Sequence, residues 1–292
     1  MERPKRQWGD RQEARRIRDL DPVHQLMPYF LPKRCDAEVY MHEKVDVTNT
    51  LQYIKTQNEL NPEHKMTLFH VVLAGMSKTI IHMPYLNRFI SGKRFYERHE
   101  VSLSFVIKKQ FTEKGEESLM ILKTKEDTTL NEISRKVAEE VKGIRETGGN
   151  QLDRVLHFLV RFPRPVLTLF TTLLNILEYY GKMSKFLWEM DPYYSTVLLA
   201  NLGSIKIGAP YHHLNNYGTN SIMVTIGEVH KELIPDKDGN LHLRDIMEMG
   251  ITIDERIGDG YYFAKSIKIL KHLLQNPKLL EFPFNEEVDY DD

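Results

Sequence analysis

Apolar residues recur along this chain with two periods, and those periods mark out its elements. Between positions 36 and 47, Ala37, Val39 and Met41 alternate with Glu38, Tyr40 and His42, which predicts a strand. Asp46, Thr48, Asn49 and Thr50 then offer helix caps, with Leu51, Ile54 and Leu60 on one face. A more apolar helix is expected over 67–82, ended by Pro84; its Leu68, Val71, Val72, Gly75 and Met76 mark deep burial. Positions 101–108 and 118–125 read as two strands joined by a polar turn at Glu113, Lys114 and Gly115. Thr128 or Thr129 can cap a helix reaching Val141, with Leu130, Ile133, Val137 and Val141 at helical spacing; Gly143 and Gly148-Gly149 are expected to break it. Later strands fall at 194–200, 220–229 and 249–255, the last two separated by the turn-rich stretch 236–240. A helix over 261–275 then stops at Asn276-Pro277. Intermixed strands and helices with several hairpins predict an α/β fold, a two-layer sandwich built on a mixed β-sheet.

This pattern organises the chain as a charged N-terminal arm over 1–30, with a short helix near 10–18, a single domain over 31–284 and an acidic tail over 285–292. Residues 151–190 differ in character. Leu152, Val155, Leu156, Leu159, Val166, Leu167, Leu169, Phe170, Leu173, Leu174, Ile176 and Leu177 make dense apolar helices, broken at Pro163-Arg164-Pro165 and at Gly181. They are read as an inserted helical hairpin packed on the domain or on a neighbouring subunit. The sharper alternatives are a lid or greasy wall for an acyl chain, or a surface for a membrane or other apolar partner.

The 292 residues are 41% hydrophobic and 28% charged with a formal net charge of −1, so charge gives no case for nucleic acid as a partner. No uncharged run reaches the roughly 18 residues of a membrane span, and the N-terminus lacks the apolar core of a signal peptide. The expected location is the cytoplasm. A single cysteine, Cys35, excludes a disulfide framework, and no Cys-His constellation surrounds it. There is no glycine-rich phosphate loop, and no spacing of His, Cys and Asp supports a metal.

Several short segments carry more specific information. In order they are Glu43-Lys44-Val45-Asp46-Val47-Thr48, Met83-Pro84-Tyr85-Leu86-Asn87-Arg88, Ala200-Asn201-Leu202-Gly203-Ser204, Met223-Val224-Thr225-Ile226-Gly227 and Asp254-Glu255-Arg256-Ile257-Gly258-Asp259-Gly260. The ordered set resembles the catalytic domain of the 2-oxoacid dehydrogenase acyltransferases, the dihydrolipoamide acyltransferase core of the chloramphenicol acetyltransferase-like superfamily. The likeness spans roughly 30–145 and 191–280; the insertion 151–190 departs from it. No lipoyl or subunit-binding module is read in the chain, so no covalently bound lipoyl group is expected. The resemblance implies a homotrimer with sites at subunit interfaces, where coenzyme A or acyl-CoA and a small or carrier-bound acyl acceptor enter from opposite sides. It also implies a histidine that acts as general base, a serine that stabilises the oxyanion, and an aspartate that is chiefly architectural.

Carried over position by position, the resemblance is uneven. Asn201, Gly203, Asp259 and Gly260 match, and Arg256 lies within the terminal motif. Glu255 stands where the family has its histidine, and Ala200 where it has its serine. A general base contributes about 10²–10⁴-fold and an oxyanion donor about 10²–10³-fold, effects that are not additive. An ordinary carboxylate titrates near about 4.3 against about 8.5 for a thiol, so glutamate serves as base only where burial raises it. The other use for Glu255 is a salt bridge with its neighbour Arg256. Among substitutes, Ser204 is separated from Ala200 by the Leu202-Gly203 turn. The pair His212-His213 reads as solvated loop, His70 and His82 as satisfied structural residues, and Tyr193-Tyr194 and Tyr261-Tyr262 as packed aromatics. Two readings follow: an acyltransferase-like protein acting on a thioester, or a catalytically inactive trimeric binding or scaffold protein, a pseudoenzyme that keeps the fold.

Overall fold

The computed structural model describes residues 6–63, 65–108, 117–147 and 151–290. Strand β1 (Ala14–Arg16) and helix α1 (Pro22–Phe30) come first, then β2 (Glu38–Asp46), α2 (Thr48–Leu60) and α3 (Leu68–His82). Next are β3 (Arg88–Ser91), β4 (Arg94–Arg98), β5 (Val101–Lys108) and β6 (Glu117–Thr124). Four helices follow: α4 (Leu130–Thr147), α5 (Gln151–Leu159), α6 (Arg164–Tyr179) and α7 (Lys185–Met190). The chain closes with β7 (Val197–Asn201), β8 (Ile222–Pro235), β9 (Leu241–Asp254) and α8 (Gly260–Gln275).

Six strands form one mixed sheet in the order β2-β9-β8-β7-β5-β6. The pairs β5/β7 and β7/β8 are parallel and the others antiparallel. Helices α2, α3, α4 and α8 pack together as the second layer, with α3 against β5 and α8 against β2. The predicted α/β sandwich is therefore observed. Leu73 of α3, Leu103 of β5, Leu199 of β7, Val224 of β8, Met249 of β9 and Leu273 of α8 meet between the layers and are fully buried. Removing each such side chain from water contributes about 1.5–3 kcal/mol.

Three expectations change. Residues 10–18 hold a strand, not a helix: β1 pairs with β4, which pairs with β3, in a second, three-stranded sheet. The edge is sealed by Ala14, fully buried, and by Arg11, which is 2% exposed. Gly143 lies inside α4 and does not end it, because a lone glycine costs a helix only about 1 kcal/mol. Finally, β8 and β9 run beyond Val229 and before Met249 as a protruding ribbon that exposes Leu233, Leu241 and Leu243. The turn over 236–240 closes it, with Asp236 accepting from the amides of Asp238 and Asn240. The turn expected at Glu113-Lys114-Gly115 and the break expected at Gly148-Gly149 lie outside the described residues.

The insertion consists of α5, α6 and the short α7. One face of α6 is seated: Leu174 joins Met183 and Tyr194 in a small satellite core, and Glu178 receives the Arg11 guanidinium at 2.6 Å. Gly92, at φ +56°, lets the Tyr179 carbonyl approach to where any Cβ would collide at 2.1 Å. The opposite stripe of α6 leaves Val166, Leu169, Leu173 and Ile176 exposed.

Candidate functional site

The terminal motif begins at the end of β9. Asp254 and Arg256 form a bidentate pair, Nε to Oδ1 at 2.7 Å and Nη2 to Oδ2 at 2.6 Å, with both side chains at or below 1% exposure. The remaining guanidinium nitrogen donates to the Leu31 carbonyl at 2.6 Å. Every strong group of this pair is thus spent inside the protein, the arrangement a buried ion pair needs to offset its desolvation. Glu255 lies between the two, half-buried, with its amide donating to Ala37 O at 2.8 Å. The expected salt bridge to Arg256 does not form, because Asp254 takes the guanidinium. Among the described residues the Glu255 carboxylate has no hydrogen bond or ion pair. Asp259 is the N-cap of α8: its Oδ1 accepts the Tyr262 amide at 2.8 Å, and Gly260 follows as the first helical residue. Tyr262 stacks on Tyr85, ring centroids 4.5 Å apart, and its hydroxyl accepts the Tyr85 amide.

The second motif leaves the sheet two strands away. Ala200 and Asn201 end β7, and the chain turns tightly through Gly203, where an added Cβ would lie 2.5 Å from the Gly227 carbonyl. That close approach is what demands glycine. Ser204 donates its hydroxyl to Asn201 O at 2.8 Å and so holds the turn. Ala200 aligns with Thr225, and Thr225 with Gly250. Glu255, just past the end of β9, is five residues beyond Gly250, about 16 Å down the sheet from the level of Ala200 at strand rise. Within one chain Ala200 and Glu255 do not meet.

An open cleft of about 770 Å³ lies at the β7 exit, lined among others by His70, Ala200, Asn201, Gly203, Ser204 and His212. His70 is buried, which lowers its titration to about 4. Its Nδ1 accepts the Thr67 amide at 3.3 Å and faces the Ser134 hydroxyl at 3.1 Å, so the neutral ring carries its proton on Nε2. The structural role expected of His70 fits this bonding.

The loop carrying His212 and His213 is exposed, as expected, but it is anchored at both ends. Thr225 donates to the Pro210 carbonyl before the pair. After it, fully buried Leu214 donates its amide to Glu38 and accepts from the Cys35 thiol at 3.0 Å. Arg34 also binds the carbonyls of Asn215 and Asn216. Burial, then the nearby Glu38 and Asp36 carboxylates, push the Cys35 thiol up, the reverse of what a nucleophile needs. Sequence periodicity gave no sign of this anchoring, since the tethers from Arg34, Cys35 and Glu38 come from residues more than 170 positions away and the nearest, from Thr225, is 15 positions off.

Residues 189–282, from the end of α7 to just beyond α8, match the 2-oxoacid dehydrogenases acyltransferase (catalytic domain) family. That span contains both motifs. The chain has the fold of the dihydrolipoamide acyltransferase core. A probable dihydrolipoamide acetyltransferase from Listeria monocytogenes superposes with a TM-score of 0.59 at 15% identity, covering 90% of this chain and 95% of the other. The dihydrolipoamide acetyltransferase (E2p) of Azotobacter vinelandii, for which the role of a serine, a histidine and an asparagine in the catalytic mechanism has been investigated, gives 0.61 at 14% identity with 90% and 93% covered. A chloramphenicol acetyltransferase gives 0.51 at 12% identity with 89% and 99% covered. No curated protein matches the chain by sequence. The resemblance read from the ordered motifs is thus borne out over 189–282, and with it the chloramphenicol acetyltransferase-like architecture. Among the described residues no helix is long and apolar enough to cross a membrane.

Proposed function

We propose that this chain binds a thioester such as acyl-CoA and transfers its acyl group to a thiol or hydroxyl acceptor, working as a homotrimer in the cytoplasm. The observation that carries this reading is the open cleft at the β7 exit. It keeps the Asn201-Leu202-Gly203 turn and has room for an extended acyl-bearing arm, while the Asp254–Arg256 pair and the Asp259 cap keep the terminal motif in shape. Glu255 contributes to that motif by position, not by any bond that would tune it. A trimer would bring the Glu255 of one subunit towards the Ala200 edge of another, as the family likeness implies.

The second reading, a trimeric binding or scaffold protein, is favoured by one observation: Ala200 places a methyl group where the family stabilises an oxyanion, and Ser204 is already committed. Two measurements on the full chain separate the readings: calorimetry with coenzyme A, and acetyl transfer from acetyl-CoA to free dihydrolipoamide. Saturable binding with turnover is expected. Binding without turnover, with turnover gained only in Glu255→His combined with Ala200→Ser, would establish the scaffold reading. Absence of both binding and turnover would sink the two together.

A further inference from the structure

Two clefts meet at one titratable side chain. Beside the large cleft lies a smaller one of about 250 Å³, lined by Tyr193, His213, Asn215 and Asn220 among others. Val106, Ala200 and His212 line both. Of these three, only the imidazole can accept a proton. Its protonation pattern is set by the backbone: His212 Nδ1 lies 2.9 Å from the His213 carbonyl, and a carbonyl only accepts, so Nδ1 is the donor. The neutral ring therefore keeps its lone pair on Nε2, which has no partner among the described residues. His213 repeats the arrangement, with Nδ1 donating to Leu214 O at 3.1 Å, and the two rings lie 4.9 Å apart. His70, in the same large cleft, has the opposite tautomer and offers no free lone pair.

Asn220 forms part of the wall of the smaller cleft and is held rigidly. Asn220 is 3% exposed, and its Nδ2 donates to Ser195 O at 2.7 Å, Ser195 Oγ at 2.8 Å and Pro192 O at 3.2 Å. Those bonds fix the amide's orientation and leave its Oδ1 buried without a hydrogen-bond partner. An orphaned buried acceptor costs about 1–3 kcal/mol unless a donor reaches it.

We infer that His212 is the proton acceptor of the transfer, set between a thioester in the large cleft and an acceptor in the small one. The inference rests on the acyl-transfer reading above. In the step, Nε2 of His212 takes the proton of the acceptor thiol or hydroxyl. The freed electron pair forms a bond to the thioester carbonyl carbon, and the carbonyl π pair moves to oxygen. On collapse the carbonyl re-forms, the carbon–sulfur bond of the donor breaks with its pair on the departing sulfur, and the proton on Nε2 passes to that thiolate. The imidazole returns to its neutral state, and nothing is oxidised.

The test uses the full chain with acetyl-CoA and dihydrolipoamide. His212→Ala is expected to lower kcat by about 10²–10⁴-fold with KM for acetyl-CoA little changed, and free imidazole to restore at least about tenfold of that loss. Tyr211→Ala, a control for disturbance of the same loop at a residue that lines neither cleft, is expected to lose less than about tenfold and to gain nothing from imidazole. Transfer that survives His212→Ala, or a loss shared equally by both variants and rescued in neither, would overturn the assignment and leave the acyl-transfer reading intact. Lack of transfer by the unaltered chain would instead remove that reading, and this inference with it.

Discussion

The segments 254–260 and 200–216 lie on either side of β8, and they dispose of their polar groups in opposite ways. In the first, Asp254 and Arg256 satisfy each other in the interior, and Asp259 turns its carboxylate back onto the helix it starts. In the second, the backbone is what is tied down: Gly203 against Gly227, Pro210 to Thr225, Leu214 to Glu38. The side chain of His212 is left facing two clefts. A motif that looks chemical by composition thus serves as architecture, and a loop that looks merely solvated holds an imidazole in a defined tautomer. Availability for chemistry follows from which bonds are already made, not from residue type.

The sharpest way to break this contrast is Arg256→Ala. It leaves Asp254 buried without a counter-charge, and removal of one partner of a buried pair costs about 3–5 kcal/mol. Denaturant unfolding of the full chain should register that loss; a cost below about 1 kcal/mol would show that the pair is dispensable to the terminal motif. The next effect in size concerns the two cleft histidines. Burial holds His70 neutral, its titration lowered from 6.5 to about 4. Because the folded value lies below the unfolded one, the unfolded chain takes up the proton first. The contribution is fully present above about pH 6.5 and is lost as pH falls towards about 4, an effect of about 3 kcal/mol. Stability followed between pH 7 and 4 should lose much of its slope in His70→Asn and keep it in His212→Ala; equal slopes in the two variants would erase the distinction drawn between them.

Asp259→Ala should cost about 1 kcal/mol, the worth of one N-cap bond, with unfolding otherwise cooperative. A loss of transfer activity far beyond that stability change would mean that Asp259 acts on the substrate and not on α8.

How much of this was legible in the sequence depends on where each element finds its partners. The long core elements α3, α8, β2 and β5 show their periodicity locally, so alternation and helical spacing place them to within a few residues. The three-stranded sheet does not show itself, because β3 and β4 are short and carry Arg88, Arg94 and Arg98. Arg98 is neutral to the pattern only in three dimensions, where its guanidinium lies over the Phe89 ring and donates to the carbonyls of Thr219 and Ser195. Likewise Arg11 and Ala14 read as a charged helical arm until Glu178, more than 160 residues away, supplies the counter-charge. At the site, the positions of Asn201, Gly203, Asp259 and Gly260 could be read from motif order. The pairing of Asp254 with Arg256 across Glu255, and the tethering of the His212 loop, could not, since both are decided by tertiary competition for hydrogen-bond partners.

The smallest expected effect is also the one that bears most directly on the contrast. Glu255 is half-buried, lies between two residues that bond each other, and makes no side-chain bond among the described residues. Glu255→Gln keeps its shape and removes its charge, so its stability should stay within about 0.5 kcal/mol of the parent chain. Measured beside Arg256→Ala by the same denaturant titration, it compares adjacent residues that differ in bonding and not in location. A cost above about 1.5 kcal/mol would require a partner for the carboxylate outside the single chain, and a subunit interface is where the trimer reading would supply one. In that case the loss should diminish on dilution to monomer, a concentration dependence that sedimentation run alongside the titration would detect.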